Sequence, residues 1–283
     1  MALTRVVYTD TVLEISSSLV ASAPLSLSTV QNATFTINVP RENVNVFGKQ
    51  GTVDRPQLTA TDATVEFSFI PELSASASTT LTGSDIGALL GESKKGNPAR
   101  VTYIQVAGVG KLTECLINSL GMEGAVGALP TMTMGFTGVQ NAVPTATSLV
   151  SSASNMTLIQ PKNISLSNLL LPTTDSCAQS VSLSWDMPVE KIVCLGADPA
   201  LASSTNVFGN PPGTASITVE SLSEQIPTDQ VSATYTLTIG SYLFTLVGAR
   251  IDSKTNSLAI GDLFGTFNYV LGGTADGMTV TAP

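Results

Sequence analysis

The chain has 283 residues, with 12 Lys and Arg against 21 Asp and Glu, no His, and a formal net charge of -9. The acidity argues against nucleic-acid binding through phosphate contacts, which needs clustered Lys and Arg. The lack of His removes Ser-His-Asp and Cys-His catalysis along with the commonest metal ligand. Only 12% of residues are charged, about half of the usual quarter, so the surface is either polar without charge or covered by other subunits, since interface cores are depleted in charge.

In chain order, residues 1–29 are rich in Ser, Thr and Val and read as an N-terminal strand or arm, with an acidic turn at Asp10 and a loop at Ala21–Pro24. Met1–Arg5 lacks an apolar h-region, so no signal peptide is expected. A strand follows over about 30–39, with Ala33, Phe35, Ile37 and Val39 in one phase and therefore on one buried face. A loop rich in Asn, Gly and Pro runs from Arg41 to Gln57, and Ala63–Ile70 alternates again with Val65, Phe67 and Phe69 inward. Ser84-Asp85 offers a helix N-cap, with Ile86, Leu89 and Leu90 as a short stripe ended by Gly91. Glu92–Pro98 reads as an exposed loop, and Lys94-Lys95 with Arg100 as a solvated cluster too small for a nucleic-acid footprint. Val101–Val109 is a further strand, and Leu112–Phe136 a hairpin around Gly121, Gly124 and Gly127. Asn141–Ser154 reads as a linker.

Beyond it the pattern returns. Val30–Gly48 and Ala178–Gly196 align without a gap at an offset of 148: Gln31 with Gln179, Pro40 with Pro188, Glu42 with Glu190, Gly48 with Gly196. Ala33, Phe35, Ile37 and Val39 keep phase with Val181, Leu183, Trp185 and Met187, and a slip of one residue would turn that face to solvent. A long loop, Val189–Gly213, follows this second strand. Ser216–Glu220 is then the counterpart of the strand around Val65, displaced by a four-residue insertion. Thr234–Ile239 alternates cleanly, and strands near Leu243 and Phe267 are separated by a turn cluster, Asp252–Asn256. Between Glu220 and Tyr235 there is no room for a second copy of the helix. The expected organisation is therefore two tandem β-domains, 1–148 and 149–283, with a short helix in the first.

No active site emerges. Asp62 and Glu66, four residues apart on a strand, would stand about 13 Å apart. Gly108-Val109-Gly110 lacks the third glycine of a dinucleotide fingerprint, and Gly91–Gly96 lacks the Gly-Lys-Ser/Thr core of a phosphate loop. The sequons at Asn32, Asn155 and Asn163 are chance matches in a Ser/Thr-rich chain. Cys115, Cys177 and Cys194 are odd in number and lack metal spacing, which fits reduced, buried thiols. No run approaches the length of a membrane helix.

The segment Thr34–Gly48, with its strand ending in Pro40-Arg41-Glu42 and leading through a long loop to Ala63–Ile70, resembles the opening hairpin of tail tube proteins of long-tailed bacteriophages. The order of elements follows that family over most of 30–140 and more faintly over 178–280. The second copy departs from it with Val189 in place of Arg41 and with no helix. The resemblance implies mainly-β sandwich or barrel domains, no enzymatic activity and no cofactor. It further implies assembly into stacked rings, with three copies per ring if each carries two tube domains, forming a hollow virion tube built in the host cytoplasm. DNA would pass through without tight binding, and the tape measure, terminator and distal tail proteins would be neighbours. Residues carried over as self-assembly candidates are Arg41, Glu42, Phe47 and Gly48, and in the second copy Glu190, Leu195 and Gly196. Another virion ring or decoration protein, or a β-sandwich that binds carbohydrate or protein, remains the alternative. Trp185, the single Trp, lies in the inward phase of its strand and does not suit a binding face.

Overall fold

The structure, a computed structural model, describes residues 12–19, 24–27, 29–57, 61–73, 80–96, 101–142, 157–167, 178–192, 207–209, 212–222, 233–258 and 265–282. It is mainly β, and every strand pair in it is antiparallel. The first half contributes β1 (Leu13–Ser17), β2 (Leu25–Leu27), β3 (Val30–Asn38), β4 (Asp62–Phe69), α1 (Gly83–Lys94), β5 (Val101–Val106), β6 (Gly110–Ala125) and β7 (Thr131–Ala142). Hydrogen-bonded neighbours place these strands in the order β2-β1-β5-β6-β7-β4-β3. The second half contributes β8 (Ile164–Ser167), β9 (Ala178–Asp186), the short pair β10 (Glu190–Ile192) and β11 (Val207–Gly209), β12 (Thr214–Ser221), β13 (Ala233–Ile239), β14 (Tyr242–Ser257), β15 (Thr266–Thr274) and β16 (Met278–Thr281). Its order is β8-β13-β14-β15-β12-β9.

Strand for strand, that is the order β1-β5-β6-β7-β4-β3 of the first half. The registers coincide as well. Phe35 lies opposite Val65 and Leu183 opposite Ile217; Ile37 lies opposite Ala63 and Trp185 opposite Ala215. The long strands β6 and β14 carry the same irregularities, a bulge between Ile117 and Ser119 in one and between Ile251 and Ser253 in the other. Each also holds a left-handed residue at the equivalent place, Glu114 at φ 52° and Gly248 at φ 72°. A bulge inserts one unpaired residue and sharpens the local twist, so its recurrence bends both sheets alike. The counterpart of β7 is β15 plus β16, broken by a 3-10 turn over Ala275–Gly277.

The two halves share one sheet. β6 bonds β5 along its first part; over Ser119–Ala125 the same edge bonds β9, from Ser119 opposite Asp186 to Ala125 opposite Ser180. One apolar core runs through both halves, with Phe67, Phe69, Phe136, Trp185 and Phe244 fully buried. α1, from the first half, packs on β16, from the second; Gly83 and Gly87 face it so closely that a Cβ would meet the carbonyls of Thr281 and Val280.

Four local readings need correction. The helix begins two residues earlier than Ser84-Asp85 suggested: Thr82 is the N-cap, in a capping box with Asp85. It also runs through Gly91 to Lys94, because its last turn is held by tertiary bonds. Ser93 donates to the Ile117 carbonyl, and Lys94 Nζ donates to the carbonyls of Asp276 at 2.9 Å and Met278 at 2.6 Å. Lys94 is thus part-buried instead of solvated. In the hairpin, Gly121 and Gly124 lie inside β6 and only Gly127, at φ 83°, makes the turn. Asp252–Asn256 is a stretch of β14 and not a turn; pairing with β15 carries the strand on and the bulge absorbs Asp252. Finally, Ile37 and Val39 are 45% and 38% exposed, whereas Trp185 is 1% exposed. β9 is flanked on both sides, by β6 and β12; β3 is an edge whose only described partner strand is β4. The 141–154 linker lies outside the described residues beyond Ala142, as do 223–232, Asp10 and Arg100.

Candidate assembly surfaces

The segment between β3 and β4 is a hairpin arm that continues the sheet outward. Isolated bridges join Arg41 to Gln57 and Val44 to Asp54, and the N–H of Glu42 donates to the Pro56 carbonyl at 3.1 Å. Arg41 Nη1 donates to the Arg55 carbonyl at 3.2 Å. Gly48 and Gly51, at φ 83° and 92°, form the tip, a conformation a Cβ disfavours. On this arm Val39, Val44, Val46, Phe47 and Val53 are all exposed, Phe47 fully. Isolated exposed apolar residues are ordinary; a cluster at the end of a projecting hairpin marks an interaction site. Arg41, Glu42, Phe47 and Gly48 are therefore brought together on one element. Sequence reading missed Val44, Val46 and Val53, whose signal was the short alternation inside a stretch dominated by Asn and Gly.

The equivalent place in the second half also starts as a hairpin, with Glu190 opposite Gly209 in β10–β11. Leu195 and Gly196 lie outside the described residues. The arm is fastened to the first half by Lys191, whose side chain is 7% exposed; its Nζ donates to the Thr61 carbonyl at 3.0 Å and stands 3.7 Å from Asp62 Oδ1. Burial lowers the Lys191 pKa, with Asp62 opposing that shift. Lys191 lies near Cys115, whose fully buried thiol is pushed up by burial, leaving it neutral. Cys177 and Cys194 lie outside the described residues.

The outward face of the shared sheet is a third surface. Cross-strand neighbours there form rows of small polar residues: Ser68, Thr133, Gly121, Ser184 and Ser216 in one, and Thr131, Glu123, Ser182 and Thr218 in the next. A groove of about 460 Å³ on this face is lined by Asn32, Glu66, Glu123, Ser182 and Ser184 among others. Glu66, Glu123, Asp186 and Glu220 belong to the same face; β3, β4, β7, β9, β12 and β15 contain no Lys or Arg, and β14 adds Arg250 at the end of the Ser216 row. Among the described residues no group of three or more Cys, Asp or Glu could hold a metal, and no described helix is long and apolar enough to cross a membrane.

The sheet is thus repeated strand for strand and carries one hairpin arm with a cluster of exposed apolar residues. A family model described as phage tail tube protein matches residues 26–283. The chain belongs to the phage tail tube protein family. It is thus a structural component of the virion tail, a subunit that self-assembles into a tube alongside other tail proteins. The matched span starts inside β2 and runs through α1 to β16. No curated protein sequence matches the chain.

Proposed function

We propose that three copies of this chain form a ring with pseudo-six-fold symmetry, and that stacked rings make a hollow tube through which DNA leaves the particle. The observation that carries this reading is the identical six-strand order of the two halves, β1-β5-β6-β7-β4-β3 and β8-β13-β14-β15-β12-β9. Each half, 1–148 and 149–283, is then one tube domain, and a covalent pair needs half as many chains to close the ring. Joining two domains in one chain also raises their effective mutual concentration. Head-to-tail contacts close into a ring when the rotation allows.

The arms take the contacts between rings. Arg41, Glu42, Phe47 and Gly48 would dock on the neighbouring ring, with Glu190, Leu195 and Gly196 in the equivalent role, the last two lying beyond the described residues. The acidic outward face is the lumen wall. Carboxylates there repel phosphates, the converse of the counterion release that makes DNA binding tight. The role is structural, with no catalytic step and no cofactor. Cryo-microscopy of assembled material tests the whole reading: trimeric rings with six similar lobes are expected, and rings of six chains would overturn it. Replacing Val44–Asp54 by a two-residue turn should leave the core strands folded and stop stacking; normal tubes from that variant would remove the arm from the account.

A further inference from the structure

The internal joint between the halves dictates how one copy joins the next. β6 bonds β9 through Ser119–Ala125, and β9 is the counterpart of β3 at an offset of 148. The counterpart of Ser119–Ala125, aligned by the shared bulge, begins at Ser253 in β14. Among the described residues, Ser253–Ser257 pairs with β15 on one edge and with no strand on the other; β13 stops pairing at Ala249. β3 pairs with β4 and with no described strand on its far edge. An unpaired edge is a template for another chain, and among the described residues neither edge of this second joint has a partner strand.

We propose that Ser253–Leu258 of one copy pairs antiparallel with Ala33–Asn38 of the next, in the register of the internal joint: Ser253 opposite Asn38, Thr255 opposite Thr36, and Ser257 opposite Thr34. The side chains agree with this pairing. Ile37 is 45% and Leu258 75% exposed in the single chain, and in this register both fall on the face that Trp185, Leu120 and Met122 occupy inside the core at the internal joint. The contact is heterologous, with different residues on its two sides, so it propagates around a ring instead of ending at a dimer. Its inward positions hold Lys254 and Asn256 where the internal joint has Leu120 and Met122. The joint between copies is thus more polar than the one within the chain, which suits a subunit that is soluble before it assembles. The proposal rests on the ring reading given above, and sets which strands make the ring.

Single-cysteine variants test it. Thr36→Cys and Thr255→Cys chains are mixed, assembled, treated with a short thiol-specific cross-linker and run on a denaturing gel, with Thr34→Cys and Ser257→Cys as a second in-register pair. Thr36→Cys with Ser253→Cys, two residues out of register, is the control, and the parent sets the background of native thiols. The proposal expects a dimer band in the in-register mixtures at least several-fold above the control and above either variant alone. Rings or tubes visible by microscopy without that enrichment would overturn the joint while leaving the tube reading intact. A chain that remains monomeric under all assembly conditions would overturn both.

Discussion

Position 37 and position 185 are equivalent in the repeat and opposite in circumstance. Trp185 is buried between two flanking strands and its Nε1 donates to the Ala275 carbonyl at 3.1 Å. Trp185→Ala should cost about 3–5 kcal/mol by the loss of burial and the cavity left behind, read by urea unfolding of the monomer. Ile37→Ala should cost well under 1 kcal/mol, on the scale of ordinary surface substitutions, because the side chain already lies half in water. Equal losses at the two sites would refute the assignment of β3 as an edge. Lys191 supplies a second test. Its folded pKa lies below the ordinary 10.5, so between the two values the unfolded chain binds more protons and stability rises with pH. As pH rises through the alkaline range below 10.5, the Tm of the parent should rise relative to that of Lys191→Met. Both proteins carry Cys115→Ala, because that thiol is electrostatically coupled to Lys191 and its raised pKa pulls stability the other way. A flat difference would mean that Lys191 is not held in a dry site.

Among the elements, strands were the most legible from the sequence and their extents the least. The alternation of Phe67, Leu183 and Leu237 marked buried faces correctly, since period two is a local property. The end of α1 was not local: Gly91 looks like a stop, yet Ser93 and Lys94 are held by β6 and by the turn before β16, residues far away in sequence. The same reason hid the continuation of β14 through Asp252–Asn256, which depends on β15 lying alongside. Two glycines of α1 turn this into a prediction. A Cβ at Gly87 would meet the Val280 carbonyl oxygen at 2.0 Å, whereas Gly91 has nothing within 4 Å. Gly87→Ala should therefore push the helix off β16 and lower Tm. Gly91→Ala, in an open helical position, should raise stability by about 0.5–1 kcal/mol. Thermal melts of the two variants decide it; a stabilised Gly87→Ala would mean that α1 does not sit as described.

For the molecule as a whole, the charge balance already spoke against nucleic-acid grip, but no sequence feature said where the carboxylates stand. Strand order placed Glu66 and Glu123 on one face, two strands apart through β7. If that face lines the tube, Glu66→Lys with Glu123→Lys should convert an indifferent conduit into one that retains DNA, with retention falling steeply as salt rises. The parent tube should show no such retention in a filter-binding assay at any salt concentration. Unchanged retention in the double variant would put this face elsewhere than the lumen. The strand-order repeat itself was half legible: the offset of 148 was visible in one strand and its loop, while the repeated bulges and the split of the last strand by Ala275–Gly277 required the pairings.

The close seat of α1 on β16 also bears on biosynthesis. The helix leaves the ribosome long before its seat does, since the hydrogen bonds from Lys94 to that region span 182 and 184 residues. Until Met278–Thr281 has been made, Gly83 and Gly87 have no surface to rest on, and a nascent or prematurely terminated chain leaves that flank of the first half uncovered. A chain that stops before Met278–Thr281 therefore carries an unseated helix.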